Sequence, residues 1–207
     1  MTDQWEMDIA TTAARLVVEE GLDYGAAKRR AVKQLKLPPR TALPANERIE
    51  AEVRDYLALF CADTQPAELL ALRRVAHRWM RQLQVFRPHL AGSVWHGTAT
   101  RLSAIELQLF CDDPKSAEIG LINFNQRYEV ASARGFTGEV VDVLGLQVRG
   151  EPDAVLAQEY IGVHLAIYDH DDLRGALKPD GQGRAPRGDL AALDKLLQAQ
   201  DGAQPSK

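Results

Sequence analysis

The stretch Gly92-Ser93-Val94-Trp95-His96-Gly97-Thr98-Ala99-Thr100-Arg101-Leu102-Ser103-Ala104-Ile105-Glu106-Leu107 decides how this chain is read. Just before it, His89-Leu90-Ala91 reads as a short strand running into a Gly-Ser turn. Ile105 to Phe110 then reads as a buried strand closed by Asp112-Asp113-Pro114. Glycine lets a backbone approach a ligand closely, and consecutive backbone N–H groups beside the Ser93 hydroxyl offer donors to an anion. Residues two apart on a strand point to the same side, so positions 104 and 106 share a face. An acid-x-acid pair there can present two carboxylates to shared metal ions. This chain carries Ala104 and Glu106 at those positions.

The ordered set of short strand, Gly-Ser, Gly-Thr, Ser-x-Ile-acid-Leu and apolar strand resembles the signature of the nucleotidyltransferase superfamily of the minimal, DNA polymerase β-like type. The resemblance is specific over about Pro88 to Gln108 and follows only the rhythm of the chain beyond. It implies an α+β fold, with a nucleotidyltransferase-like mixed β-sheet flanked by helices and preceded by an N-terminal helical region. Gly92, Ser93 and Gly97 match the phosphate-holding positions of the signature. Ala104 stands at the first metal acid and Glu106 at the second, one carbon longer than the aspartate of the pattern. The third acid has two readings. Glu129 fits by position after the next helix, and Asp142 is a further acid for a rebuilt site. In the other alignment the strand Val163-His164-Leu165-Ala166-Ile167-Tyr168 takes that place, with His164 replacing the acid.

Two functions follow from the resemblance. The first is binding of a nucleoside triphosphate or other phosphorylated small molecule, with nucleotidyl transfer assisted by Mg2+ or Mn2+ held by Glu106 and Glu129, which are then also the catalytic residues. The second is a catalytically inactive binding or regulatory module that kept the fold and lost its metal site, since fold and function separate readily. Magnesium-dependent nucleotide binding marks the first, and binding indifferent to magnesium marks the second. No Gly-x-x-x-x-Gly-Lys-Ser/Thr occurs, which disfavours a P-loop enzyme.

Working outward, the chain has 207 residues, enough for one well-buried domain and a small helical one. An apolar fraction of 45% with 26% charged residues is that of an ordinary globular protein. The net charge of -4 lends no support to nucleic-acid binding. Acidic residues near the start, no signal-like segment and no long apolar run predict a cytoplasmic protein without membrane contact. Cys61 and Cys111, each beside a phenylalanine, read as buried free thiols.

Helical periodicity predicts helices over about Met7–Glu20, Tyr24–Leu35, a stretch from an Asn46 N-cap to Phe60, and Thr64–Phe86. The last carries the clearest stripe: Leu69, Leu72, Ala76, Trp79, Leu83 and Phe86. The opening helix is similar to that of TetR-type repressors, but no third helix of suitable length precedes the prolines at 38, 39 and 44. In the C-terminal half, Lys115–Gln126 suits a helix. Tyr128–Ala131, Val140–Val148 and Val163–Tyr168 suit strands. Asp169-His170-Asp171-Asp172 reads as a solvated turn with a helix cap rather than a metal cluster. Arg187-Gly188-Asp189 reads as loop ending in the cap of a last helix to about Leu197, with a disordered tail after Gln200. The domain expectation is a helical region at 1–86, a nucleotidyltransferase-like domain at 87–200 and a tail at 201–207.

Overall fold

The computed structural model describes residues 2–150, 156, 160–181 and 183–202. The chain is α+β, and its residues fall into two compact units. One holds residues up to Pro66 together with Thr98–Leu102, and the other holds Ala67–Gly97 and the chain from Ser103 onward.

The first unit is built from α1 (Thr2–Glu20), α2 (Tyr24–Gln34) and α3 (Asn46–Phe60). Ile9, Ala13 and Leu16 of α1 pack with Ala27 and Ala31 of α2 and Ile49 and Val53 of α3, all with no exposed surface. The Asp23 carboxylate caps α2 by accepting from the Ala26 N–H at 2.8 Å, satisfying a donor that a helix start leaves orphaned. The cap expected at Asn46 is displaced by one residue. Ala45 occupies that position without a side-chain bond, while Asn46 Oδ1 accepts from Lys28 Nζ at 2.8 Å.

The second unit takes most of α4 (Gln65–Gln82) and then a mixed sheet. The stripe expected on α4 is buried at Leu69, Leu72, Ala76, Trp79 and Leu83, but the helix stops at Gln82 and a 3-10 turn covers Gln84–Phe86. Among the described residues, six strands lie in the order β3-β4-β5-β2-β1-β6. They are β1 (His89–Ala91), β2 (Ile105–Cys111), β3 (Glu129–Arg134), β4 (Val140–Arg149), β5 (Tyr160–Asp169) and β6 (Arg187–Gly188). β2 and β5 are parallel and the other pairs antiparallel. The helices of this part are α5 (Gly92–His96), α6 (Lys115–Asn123), α7 (Leu173–Ala176) and α8 (Leu190–Gly202).

Strand alternation gives the sheet two unlike faces. Ile105, Leu107, Leu109, Leu144, Leu146, Val163 and Leu165 are buried on one. The other, called the open face below, carries Glu106 and Gln108 of β2 and His164 and Ala166 of β5. At its far end the open face closes under aromatic rings, with Phe110 on Tyr168 at 5.6 Å and Phe136 on Tyr168 at 4.6 Å.

Several expected boundaries shift. Helix α6 ends at Asn123 rather than Gln126, β5 begins at Tyr160, and α8 continues past Leu197 to Gly202. Residues 203–207, where part of the expected tail falls, lie outside the described residues. Arg187 and Gly188 form an edge strand, not loop, although Asp189 does cap α8 by accepting from the Ala192 N–H at 2.8 Å. Asp169 caps the turn that follows β5, accepting from the Asp171 N–H at 2.8 Å. Cys111 is buried and Cys61 is only half-buried, and neither is in a disulfide. No helix among the described residues is long and apolar enough to cross a membrane.

Candidate functional site

The Gly-Ser turn is a helix of five residues bracketed by two left-handed glycines. Gly92 enters it at φ 64° and Gly97 leaves it at φ 82°, its N–H donating to Ser93 O. Only glycine adopts such angles without cost, so both positions are set by backbone sterics. Two side chains pin this segment. Arg73, 6% exposed, donates from Nε to Val94 O and from Nη2 to Trp95 O, each at 3.1 Å. Burial lowers the Arg73 pKa, and the two carbonyls supply the acceptors a buried guanidinium needs. Trp95 donates from Nε1 to Ala185 O at 2.8 Å and lays its ring on Gly188, where any Cβ would collide with it.

Glu106 lies across from this turn. A Cβ placed on Gly92 would stand 2.7 Å from both Cδ and Oε2 of Glu106, so the carboxyl group rests against the glycine that opens the turn. On the open face Glu106 is registered with His164 of β5 on one side and Ala91 of β1 on the other. Ala104 precedes it and Gln108 follows it at the same two-residue spacing. None of these four neighbours is a carboxylate.

Glu129 is on the same face but is not brought to Glu106. Register runs from Glu129 through Gly145 and His164 to Glu106, which is three strand steps, or about 14 Å. A shared divalent ion needs each ligand oxygen at about 2.0–2.6 Å. Asp142 has the parity of Leu144 and Leu146 and so belongs to the opposite face. Of the two readings left open for the third acid, the sheet places His164 beside the signature strand, in parallel register with Glu106. Among the described residues, no group of three or more His, Cys, Asp or Glu side chains is arranged to hold a metal ion. The residues present therefore do not fit the paired-acid metal site that the resemblance implies.

Two buried residues of this face escaped the sequence reading. His89, 6% exposed, sits edge-on to Phe110 at 5.3 Å with its Nδ1 2.9 Å from Arg87 O. Burial depresses its pKa, partly offset by that bond and by the charge of Asp189. Arg187, 9% exposed, donates from Nη1 to Gln108 Oε1 and holds its guanidinium carbon 4.7 Å from the centre of the Phe136 ring. An arginine before a glycine in a polar stretch gives no sign that it will be buried, because the edge strand is defined by its partner.

No protein-family model matches the chain, and no curated protein matches it. Among solved structures it is similar to the Cid1 poly(U) polymerase with MgGTP bound, at 14% identity and a TM-score of 0.32. That match covers 48% of this chain and 32% of the polymerase chain, so this protein spans about a third of the length of that structure.

Proposed function

We propose that this protein is a nucleotidyltransferase-like module that binds a nucleoside triphosphate or other phosphorylated small molecule without metal-dependent nucleotidyl transfer. The observation that carries this reading is the setting of Glu106. The one acid left in the signature is flanked on its own face by Ala104, Gln108, His164 and Ala91, and its carboxyl rests on Gly92. Two-metal transfer requires carboxylates that bridge ions and neutralise the attacking and leaving oxygens. A single carboxylate leaves magnesium largely to its waters and to the ligand's own phosphates.

Gly92 and Ser93 open α5, where a helix start leaves its first N–H groups without intrahelical acceptors, and these together with the Ser93 hydroxyl are donors an anion can use, which supports retention of a phosphorylated ligand. The test is calorimetric titration of the protein with ATP and with UTP, in magnesium and in chelator, together with an assay for pyrophosphate release. Binding of similar strength in both buffers, without pyrophosphate release, is expected. Magnesium-dependent pyrophosphate release that disappears in Glu106→Gln would overturn the reading.

A further inference from the structure

Arg187 is a buried cation whose polar partners are neutral. Among the described residues no carboxylate pairs with it. Its contacts are the Gln108 amide oxygen and the face of Phe136, and its Nε has no hydrogen-bond partner. Arg73 makes the contrast: it is equally buried, yet its donors end on two carbonyls of the segment it holds. Taking a guanidinium out of water is costly, and one amide and one ring return only part of that cost. An arginine in this state is short of an anion.

The position of Arg187 says which face that anion occupies. β6 is registered on β1 with Arg187 opposite Ala91, and Ala91 is opposite Glu106, so Arg187 belongs to the open face. Its side chain passes over β1 to Gln108, the next residue after Glu106 on that face. Around it there stand Ala91 on β1 and Ala166 beside Gln108 on β5, with the Phe136 ring against its guanidinium and His89 opposite Gln108. Trp95 rests on the neighbouring Gly188, which fixes the edge strand against α5. A guanidinium offers five N–H donors in a planar fork, which matches two oxygens of a phosphate group.

We infer that Arg187 anchors a phosphate group of a small ligand on the open face of the sheet. Glu106 lies against Gly92, so an anion that uses the Gly-Ser turn also meets a carboxylate, and Arg187 supplies positive charge on the same face. The inference rests on the proposed function for the idea of a phosphorylated ligand, but the arginine is identified by its own burial and partners.

The test uses the whole protein, with inorganic pyrophosphate, ATP and malonate as probes in magnesium-free buffer, read by calorimetry and thermal melts. Wild type is expected to bind pyrophosphate and to melt higher with it. Arg187→Met should lose roughly tenfold or more in affinity, the loss of a charge-assisted bond, and should melt no lower than wild type without ligand. Arg187→Lys keeps a charge without the fork, so it should fold and bind in between. Unchanged pyrophosphate affinity in either variant, no anion binding by wild type, or malonate binding as tightly as pyrophosphate would each overturn the inference. So would an Arg187→Met protein that melts far below wild type while Arg187→Lys matches wild type in both stability and binding, because the arginine would then serve the sheet edge alone. Pyrophosphate bound through Arg187 with ATP bound no better would remove the nucleotide reading and leave this one standing. ATP bound equally by wild type and Arg187→Met would do the reverse.

Discussion

The carboxyl group of Glu106 rests on Gly92, so close that a methyl group there would stand 2.7 Å from the Glu106 Cδ. The contact joins the glycine that opens α5 to the acid of the neighbouring strand. Gly92→Ala should cost about 1–2 kcal/mol for its left-handed backbone alone, with a further cost for moving the carboxyl. Urea titrations of Gly92→Ala, Glu106→Ala and the double variant separate the two parts. The double variant should recover at least about 0.5 kcal/mol relative to the sum of the single changes, the coupling usual for residues in contact. Strict additivity would mean that the two side groups do not meet.

Placing an acid at position 104 tests the strand register. Ala104 and Glu106 share the open face, and across from Ala104 stands Gly162, whose built Cβ is 3.5 Å from the Ala104 methyl. A glycine partner leaves space for a carboxylate. Ala104→Asp is expected to gain manganese or magnesium affinity and to lose stability without metal, since two adjacent like charges favour a cation. Calorimetric titration with manganese, with melts in its presence and absence, reads both effects. A folded variant with no gain in metal affinity would place the two side chains on different faces.

Helix α4 should behave as core. Trp79 is 6% exposed and continues the buried stripe of Leu69, Leu72, Ala76 and Leu83. Trp79→Ala is expected to cost about 3–5 kcal/mol in denaturant titration. A loss under about 1 kcal/mol would show that the ring is not packed as described.

Acid should weaken the second unit through His89. Burial holds its pKa below the ordinary value, with Asp189 and Arg187 as the charged groups acting on it and Phe110 against its ring. A folded-state pKa that is depressed means that the unfolded chain binds more protons in the window between the two values. Stability therefore rises with pH through that window. The contribution is complete above about pH 6.5, the unfolded value, and is lost as pH falls toward the folded one. Melts of wild type from pH 7.5 downward should show this loss, and His89→Asn should flatten it. An identical pH slope in the variant would assign the acid sensitivity to other groups.

The local elements were legible because their causes are local. Helical stripes in α1 and α4, the alternation of Ile105, Leu107 and Leu109, and the caps at Asp23 and Asp189 are read from spacing and residue type. Boundaries moved by a turn or less where a cap was misplaced, as at Asn46, or where a 3-10 turn replaced the end of a helix, as at Gln84–Phe86.

What the sequence determined by itself is the sharing of one face by positions 104 and 106, an alanine and a glutamate, and the glycines at 92 and 97. Each follows from side-chain alternation or from the steric freedom of a single residue. Tertiary structure alone decided which strand lies beside β2. It chose β5 and set His164 next to Glu106, while Glu129 went three strands away. It also made Arg187 a buried residue of the open face, by pairing a two-residue strand with β1. Strand order and edge pairing are settled by contacts between segments far apart in the chain, and no periodicity within either segment records them.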